Sequence, residues 1–243
     1  MMYGYGNMFS PSNRLFSGSG ANPLWNGLLA YYTADNTPND ALGTYNGTLI
    51  NGATYGTGII NQGFSFDGVN DYVDLGDILN FDGSTPFSVS LWYYPTSLSG
   101  QNTLFGKQDN ISPFKGYQLQ MDGNKVRFTL FNSYIPADYM IKRRSFLFSI
   151  NTFYHIVMTY DGSKNSSGVN IYINELNGVY DVTTNLFTTS IDNTGIKTTI
   201  SSQNGSASYA SGIIDEVGVW NRELTSIEVT ELYNSGAGKQ YPN

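Results

Sequence analysis

The pair Asp-Gly occurs four times, at Asp67-Gly68, Asp82-Gly83, Asp122-Gly123 and Asp161-Gly162, each time beside a run that alternates apolar and polar residues. Glycine takes positive φ at no steric cost, and aspartate bonds to the backbone two residues on, so the pair reverses a chain tightly. Alternation with a period of two buries one face of a strand. Such punctuation predicts short antiparallel strands. FSVSLWYYP (87–95) sets Phe87, Val89, Leu91 and Tyr93 against Ser88, Ser90, Trp92 and Tyr94, and a proline closes it. Tyr117 to Phe131 reads as a hairpin around Asp122-Gly123-Asn124, with Tyr117, Leu119, Met121, Val126, Phe128 and Leu130 facing one way. Phe153 to Ser163 and Gly168 to Leu176 read as a second pair.

The 19 tyrosines and 14 phenylalanines suit half-buried pleated surfaces. One helix is predicted in LTSIEVTELYNSG. Thr225 is its N-cap, Glu228 completes a capping box, Leu224 and Val229 form a staple, and Gly236 is placed at the left-handed C-cap. A chain of 243 residues allows one large all-β domain or two small ones. Neither an internal repeat nor a second boundary is evident, so residues 23–243 read as one domain. Residues 1–22 read as an extended N-terminal arm whose Tyr3, Tyr5, Phe9 and Phe16 set it apart from a plain Gly/Ser linker. Such an arm can dock on a neighbouring subunit by strand addition.

Several function classes fall away. The absence of cysteine removes disulfides and thiol catalysis. A net charge of −7 opposes general nucleic-acid binding, and no apolar run reaches the ~20 residues of a membrane span. The one basic cluster, Lys142-Arg143-Arg144, reads as a solvated strand end or loop. The N-terminus lacks the basic and continuous apolar regions of a Sec signal, so an extracellular role would need another route.

Four segments, in this order, resemble the laminin-G-like, concanavalin A-like jelly-roll superfamily. They are GLLAYYTADN with GFSFDGVNDYVDLGD, STPFSVSLWYYP, NTFYHIVMTYDGS with VNIYINEL, and GIIDEVGVWNRELTSIEVTELYNSG. The resemblance implies two antiparallel sheets packed as a sandwich with one concave face. It further implies carbohydrate or protein binding, often with calcium, and glycosidase activity in some relatives.

Glycoside hydrolysis needs two carboxylates on one face, about 5–9 Å apart. The jelly-roll glycosidases carry a Glu-x-Asp-x-Glu strand that this chain lacks. Asp215 and Glu216 are adjacent, which on a regular strand puts them on opposite faces. The single histidine, His155, lies mid-strand and reads as structural, as do Trp92 and Trp220. A non-catalytic protein is expected. For calcium, FDGVNDYVDLGD (66–77) misses the EF-hand register at Val69, and its aspartates spread over a turn and both faces of a strand. Asp109 and Asn110 resemble the Asp-Asn pair that pentraxin relatives use for calcium. The remaining ligands would come from Gln203 and Asn204, where those relatives have carboxylates. Asp35 and Asp215 are a second candidate ion site. For carbohydrate, the loops offer Phe114, Tyr134, Tyr139, Asn204 and Tyr209 as stacking and hydrogen-bonding groups.

The function expected from these readings is a virion surface protein of a tailed bacteriophage, as capsid decoration, fibre or tail. Residues 1–22 would anchor it to other virion proteins or to further copies of itself, and a lectin-like face would hold cell-surface glycans. The alternatives are a secreted bacterial lectin and, behind it, a divergent glycosidase.

Overall fold

The computed structural model describes residues 22–242. The chain-order strands of the first half are β1 (Leu28–Tyr32), β2 (Thr48–Ile50), β3 (Thr54–Thr57), β4 (Gln62–Asp67), β5 (Tyr72–Asp74), β6 (Phe87–Pro95), β7 (Gln101–Gln108) and β8 (Gly116–Asp122). The second half adds β9 (Lys125–Ser133), β10 (Asp138–Arg144), β11 (Tyr154–Tyr160), β12 (Val169–Ile173), β13 (Tyr180–Asn185), β14 (Thr199–Ile200) and β15 (Ser211–Trp220). They form two antiparallel sheets. One has seven strands in the order β12-β11-β6-β15-β4-β3, with β1 also on β15, and the other has eight in the order β13-β10-β9-β8-β7-β14-β5-β2. This is the jelly-roll sandwich that the family resemblance implies, built from the short antiparallel strands that the alternation predicts. The expected arm lies outside the described residues except for Asn22, which caps a short 3-10 turn (Pro23–Trp25) and bonds to Glu231.

Alternation decides which side chains fill the sandwich. Phe87, Val89, Leu91 and Tyr93 from β6 meet Tyr117, Leu119, Met121, Val126, Phe128 and Leu130 from the β8–β9 hairpin. Phe81 stacks on Phe87 at 4.2 Å, and Tyr160 and Phe128 approach the same ring edge-on. Each fully buried ring contributes ~2–3 kcal/mol by leaving water. The four Asp-Gly glycines all take positive φ, between 61° and 84°.

A second apolar layer lies on the outer face of the seven-stranded sheet. Helix α1 (Ser226–Tyr233) starts at the predicted capping box on Thr225 and lays Val229 and Leu232 over Trp220, Val157 and Leu24. Trp92 and Trp220 are buried as expected, but beneath this helix and the Pro23–Trp25 turn rather than between the sheets. The left-handed C-cap is Asn234, not Gly236, because the helix stops two residues earlier.

The basic cluster corrects the sequence reading. Lys142 and Arg144 are buried, since alternation along β10 turns both towards the inside at the end of the sandwich. There Lys142 Nζ donates to the carbonyls of Ser166 and Val169 at 2.7 and 2.5 Å and lies over the Tyr180 ring. Arg144 donates to the carbonyls of Val179 and Leu176. Both cations add a donor to carbonyls of which three already accept a backbone N–H: Ser166 O from Val169 N, Leu176 O from Ile173 N and Val179 O from Ser145 N. Only Arg143 meets carboxylates, those of Asp122 and Asp181.

Candidate functional site

On the outer face of the eight-stranded sheet, β7, β8 and β9 line a groove of about 210 Å³. Residues alternating with the core positions build its floor. Cross-strand pairing sets Thr103 beside Gln120 and Arg127, and Gly106 beside Gln118 and Thr129. Gly106 leaves no side chain between Gln118 and Thr199; a Cβ there would crowd Gln118 at 3.1–3.2 Å. Phe114, Tyr134 and Gln203 from the loops wall the groove, with Phe131, Gln101 and Gln108.

Although they face away from the core, Gln118, Gln120 and Thr129 are only 1–2 % exposed. The floor is therefore recessed, and its polar atoms need partners. The Gln120 amide fits its neighbours in one orientation: its oxygen accepts from Arg127 Nε and Nη2 at 2.5 and 2.6 Å, and its nitrogen donates to Gln118 Oε1 at 2.8 Å. Gln118 Nε2 in turn donates to Thr103 Oγ1. The Thr129 hydroxyl is buried with no hydrogen-bond partner. Beside the floor, Phe131 and Tyr139 stack at 4.7 Å and 7°, and Tyr134 stacks on Tyr139 at 5.9 Å. Cross-strand pairing of Phe131 with Tyr139 fixes this ladder.

Of the residues expected to hold carbohydrate, Phe114 and Tyr134 line the groove, and Tyr139 extends its aromatic wall. Asn204 and Tyr209 sit in the neighbouring 201–210 loop. Tyr209 packs near Tyr72 and donates to Gly205 O, and Asn204 accepts from Lys197 N. Sequence reasoning missed the floor itself. The signal was present in YQLQ (117–120), whose outward positions are both glutamine.

The residues expected to bind calcium do converge in part. Gln203 Nε2 donates to Asp109 O at 2.7 Å, and Asn204 Nδ2 to Asp109 Oδ1 at 3.3 Å, which also accepts from Ile111 N. The set offers one carboxylate, with both amide nitrogens turned towards Asp109, while calcium takes six to eight oxygens. These residues, with Asn110, do not fit the ion; the bonds of Gln203 and Asn204 to Asp109 instead pin the 201–210 loop to the groove wall. Among the described residues, no group of three His, Cys, Asp or Glu could hold a metal ion. In the 66–77 stretch, Asp71 accepts from Gly52 N and Asp67 N, and Asp74 and Asp77 pair with Lys197 and Lys107.

Asp215 and Glu216 overturn the alternation argument. Ile214 and Val217 both point into the core, so two residues occupy the outward position where a regular strand has one. This is a β-bulge, with Glu216 at φ 51°, and it turns both carboxylates to the outer face near Asp35. Asp215 accepts from the backbone N–H groups of Ile59, Ile60 and Glu216, yet burial holds its pKa up at about 7. Burial pushes Glu216 to about 9. Proton counting gives the same answer for Glu216. The Tyr31 hydroxyl lies against both Glu216 Oε2 and Lys239 O, and its one proton serves only one of them, so Glu216 supplies the second. Gln240 Nε2 then bridges Glu216 Oε1 and Asp35 Oδ2, tying the C-terminal segment over the cluster. His155 is structural: its Nε2 meets Ser90 Oγ at 2.9 Å and burial lowers its pKa to about 3.

The described chain has no helix long and apolar enough to cross a membrane, which says nothing of membrane β-barrels. Among solved structures, the binding domain of botulinum neurotoxin serotype G superposes with a TM-score of 0.58 at 20 % identity, covering 81 % of this chain and 48 % of that one. Domain 4 of AbnA, a GH43 extracellular arabinanase from Geobacillus stearothermophilus, in complex with arabinotriose, gives 0.56 at 19 %, covering 84 % and 97 %. A Trypanosoma rangeli sialidase in complex with sialic acid gives 0.62 at 15 %, covering 87 % and 34 %. The chain thus spans about half of the toxin domain and a third of the sialidase, and at these identities the likeness is one of fold. No curated protein sequence matches. The profile of the concanavalin A-like lectin/glucanases superfamily matches residues 67–230, more than half of the chain, and the protein belongs to that family.

Proposed function

We propose that the protein is a non-catalytic carbohydrate-binding domain whose site is the groove on the outer face of the eight-stranded sheet. The observation that carries this is the recessed floor of Gln118, Gln120 and Thr129 beside the Phe131–Tyr139–Tyr134 ladder. Sugars have apolar ring faces and a belt of hydroxyls, so they pair stacking surfaces with directional polar groups. The arabinanase domain of similar fold, solved with arabinotriose, supports the same reading. The groove floor carries no carboxylate pair of the kind glycoside hydrolysis needs, which favours binding over cleavage.

The test is a glycan array probed with the wild-type chain and with Tyr139→Ala, with and without calcium. Binding that falls with the substitution, and is indifferent to calcium, supports the reading. Binding unaffected by Tyr139→Ala refutes it.

The wider role we infer is display on a bacteriophage particle, docked through residues 1–22. Support comes from the aromatic composition of that segment. Particles that take up the protein with and without residues 1–22 equally well would contradict it.

A further inference from the structure

The hydrogen bonds across the groove floor all run in one sense, and that sense is set at Arg127. A guanidinium has donors only, so it holds the Gln120 oxygen, which forces the Gln120 nitrogen towards Gln118 and the Gln118 nitrogen towards Thr103. Each glutamine keeps one unused N–H, and the Thr129 hydroxyl is buried without a partner at 1 % exposure. The Thr129 hydroxyl can donate or accept, and the surplus of donors that the floor offers a ligand comes from the guanidinium N–H groups of Arg127 that do not meet Gln120. Charge points the same way. The chain has 19 acidic residues against 12 basic ones, yet none of the groove-lining residues is acidic and one, Arg127, is cationic. Two carboxylates lie nearby: Asp122 approaches Arg127 Nη1 at 3.6 Å but is bound more closely by Arg143 at 2.6 Å, and Asp109 at the rim accepts from Ile111 N and Asn204 Nδ2.

We propose that the groove selects saccharides bearing a carboxylate, of the uronic-acid type, with the carboxylate received by Gln118, Gln120 and Thr129 over Arg127. This rests on the groove being the carbohydrate site. An ionised carboxylate only accepts hydrogen bonds, which matches a donor-rich floor, and charge-assisted bonds are about twice as strong as neutral ones. A neutral sugar hydroxyl brings a proton for which the floor has few acceptors.

The experiment titrates the full chain with oligogalacturonate, alginate and hyaluronan fragments, each beside its methyl-esterified form, by calorimetry. Esterification keeps the ring and removes the charge. At least one acid should bind roughly ten-fold or more tighter than its ester, and the difference should shrink at high salt. Arg127→Gln should bring the acid-to-ester ratio towards one. Thr129→Val, which removes only an unpartnered hydroxyl, should weaken acid binding while leaving the melting temperature in place, so the test survives if the arginine variant fails to fold. Equal affinity for acid and ester, or binding confined to neutral glycans of the array, overturns this inference and leaves the carbohydrate reading intact. No binding to any glycan overturns both.

Discussion

Replacing Glu216 by glutamine should stabilise the protein, and by an amount that grows with pH. The unfolded chain releases the Glu216 proton near 4.5, and the folded chain holds it to about 9 because of burial. Between those values the folded state binds one proton more, so stability falls as pH rises, by ~1.4 kcal/mol per unit. The contribution is whole below pH 4.5 and is lost progressively towards pH 9. Glutamine reproduces the neutral acid: its N–H can donate to the Tyr31 oxygen, and its oxygen can accept from Gln240, as Glu216 does. The variant escapes the titration, so at pH 7 it should be more stable by ~3 kcal/mol, or roughly 6–12 °C in melting temperature for a chain of this size. Asp215 titrates in both proteins and drops out of the difference. Urea unfolding of both at pH 4.5, 7 and 8.5 measures it. Curves that coincide at pH 4.5 and separate as pH rises support the protonated Glu216. A variant that is the less stable at pH 8.5 would show that the folded protein holds Glu216 ionised, and the proton count around Tyr31 would be wrong.

Other substitutions probe the remaining structure. Lys142→Met removes the donor shared by the carbonyls of Ser166 and Val169, of which Ser166 O keeps its bond from Val169 N, and should cost ~1–3 kcal/mol in urea unfolding, where a solvated lysine would cost under ~0.5. Thr225→Ala removes the side-chain half of the capping box and should cost ~1 kcal/mol, read in the same assay. Tyr134→Ala, at an exposed groove wall, should leave the melting temperature unchanged while weakening glycan binding several-fold by calorimetry.

The strands were legible because their two signals are local, and their assembly into a sandwich was legible only through the family resemblance. Glycines after aspartate mark the turns, and period-two alternation marks the core, so β6, the β8–β9 hairpin and the capping box all stand where the residues place them. What was not legible depends on a register or on distant neighbours. The bulge at Asp215–Glu216 adds one residue to a strand, and nothing in IDEVGVW marks the extra position, so two carboxylates assigned to opposite faces share one. Lys142 and Arg144 look like surface residues until the end of the sandwich supplies carbonyls for them. Half of the site was visible as aromatic loop residues. The other half, Gln118, Gln120 and Thr129, becomes a floor only when β7, β8 and β9 lie side by side and the loops rise around them.

The central claim is that this floor meets the sugar, and the side-chain amides of Gln118 and Gln120 report on it directly. In a nitrogen-15 spectrum of the full chain, titration with a glycan selected from the array should shift both amide pairs first and most strongly, with Arg127 Nε following. The resonances of Asn170 and Asn177, at the far edge of the other sheet, should stay fixed. Saturable binding that leaves Gln118 and Gln120 unmoved would place the ligand elsewhere and contradict the account.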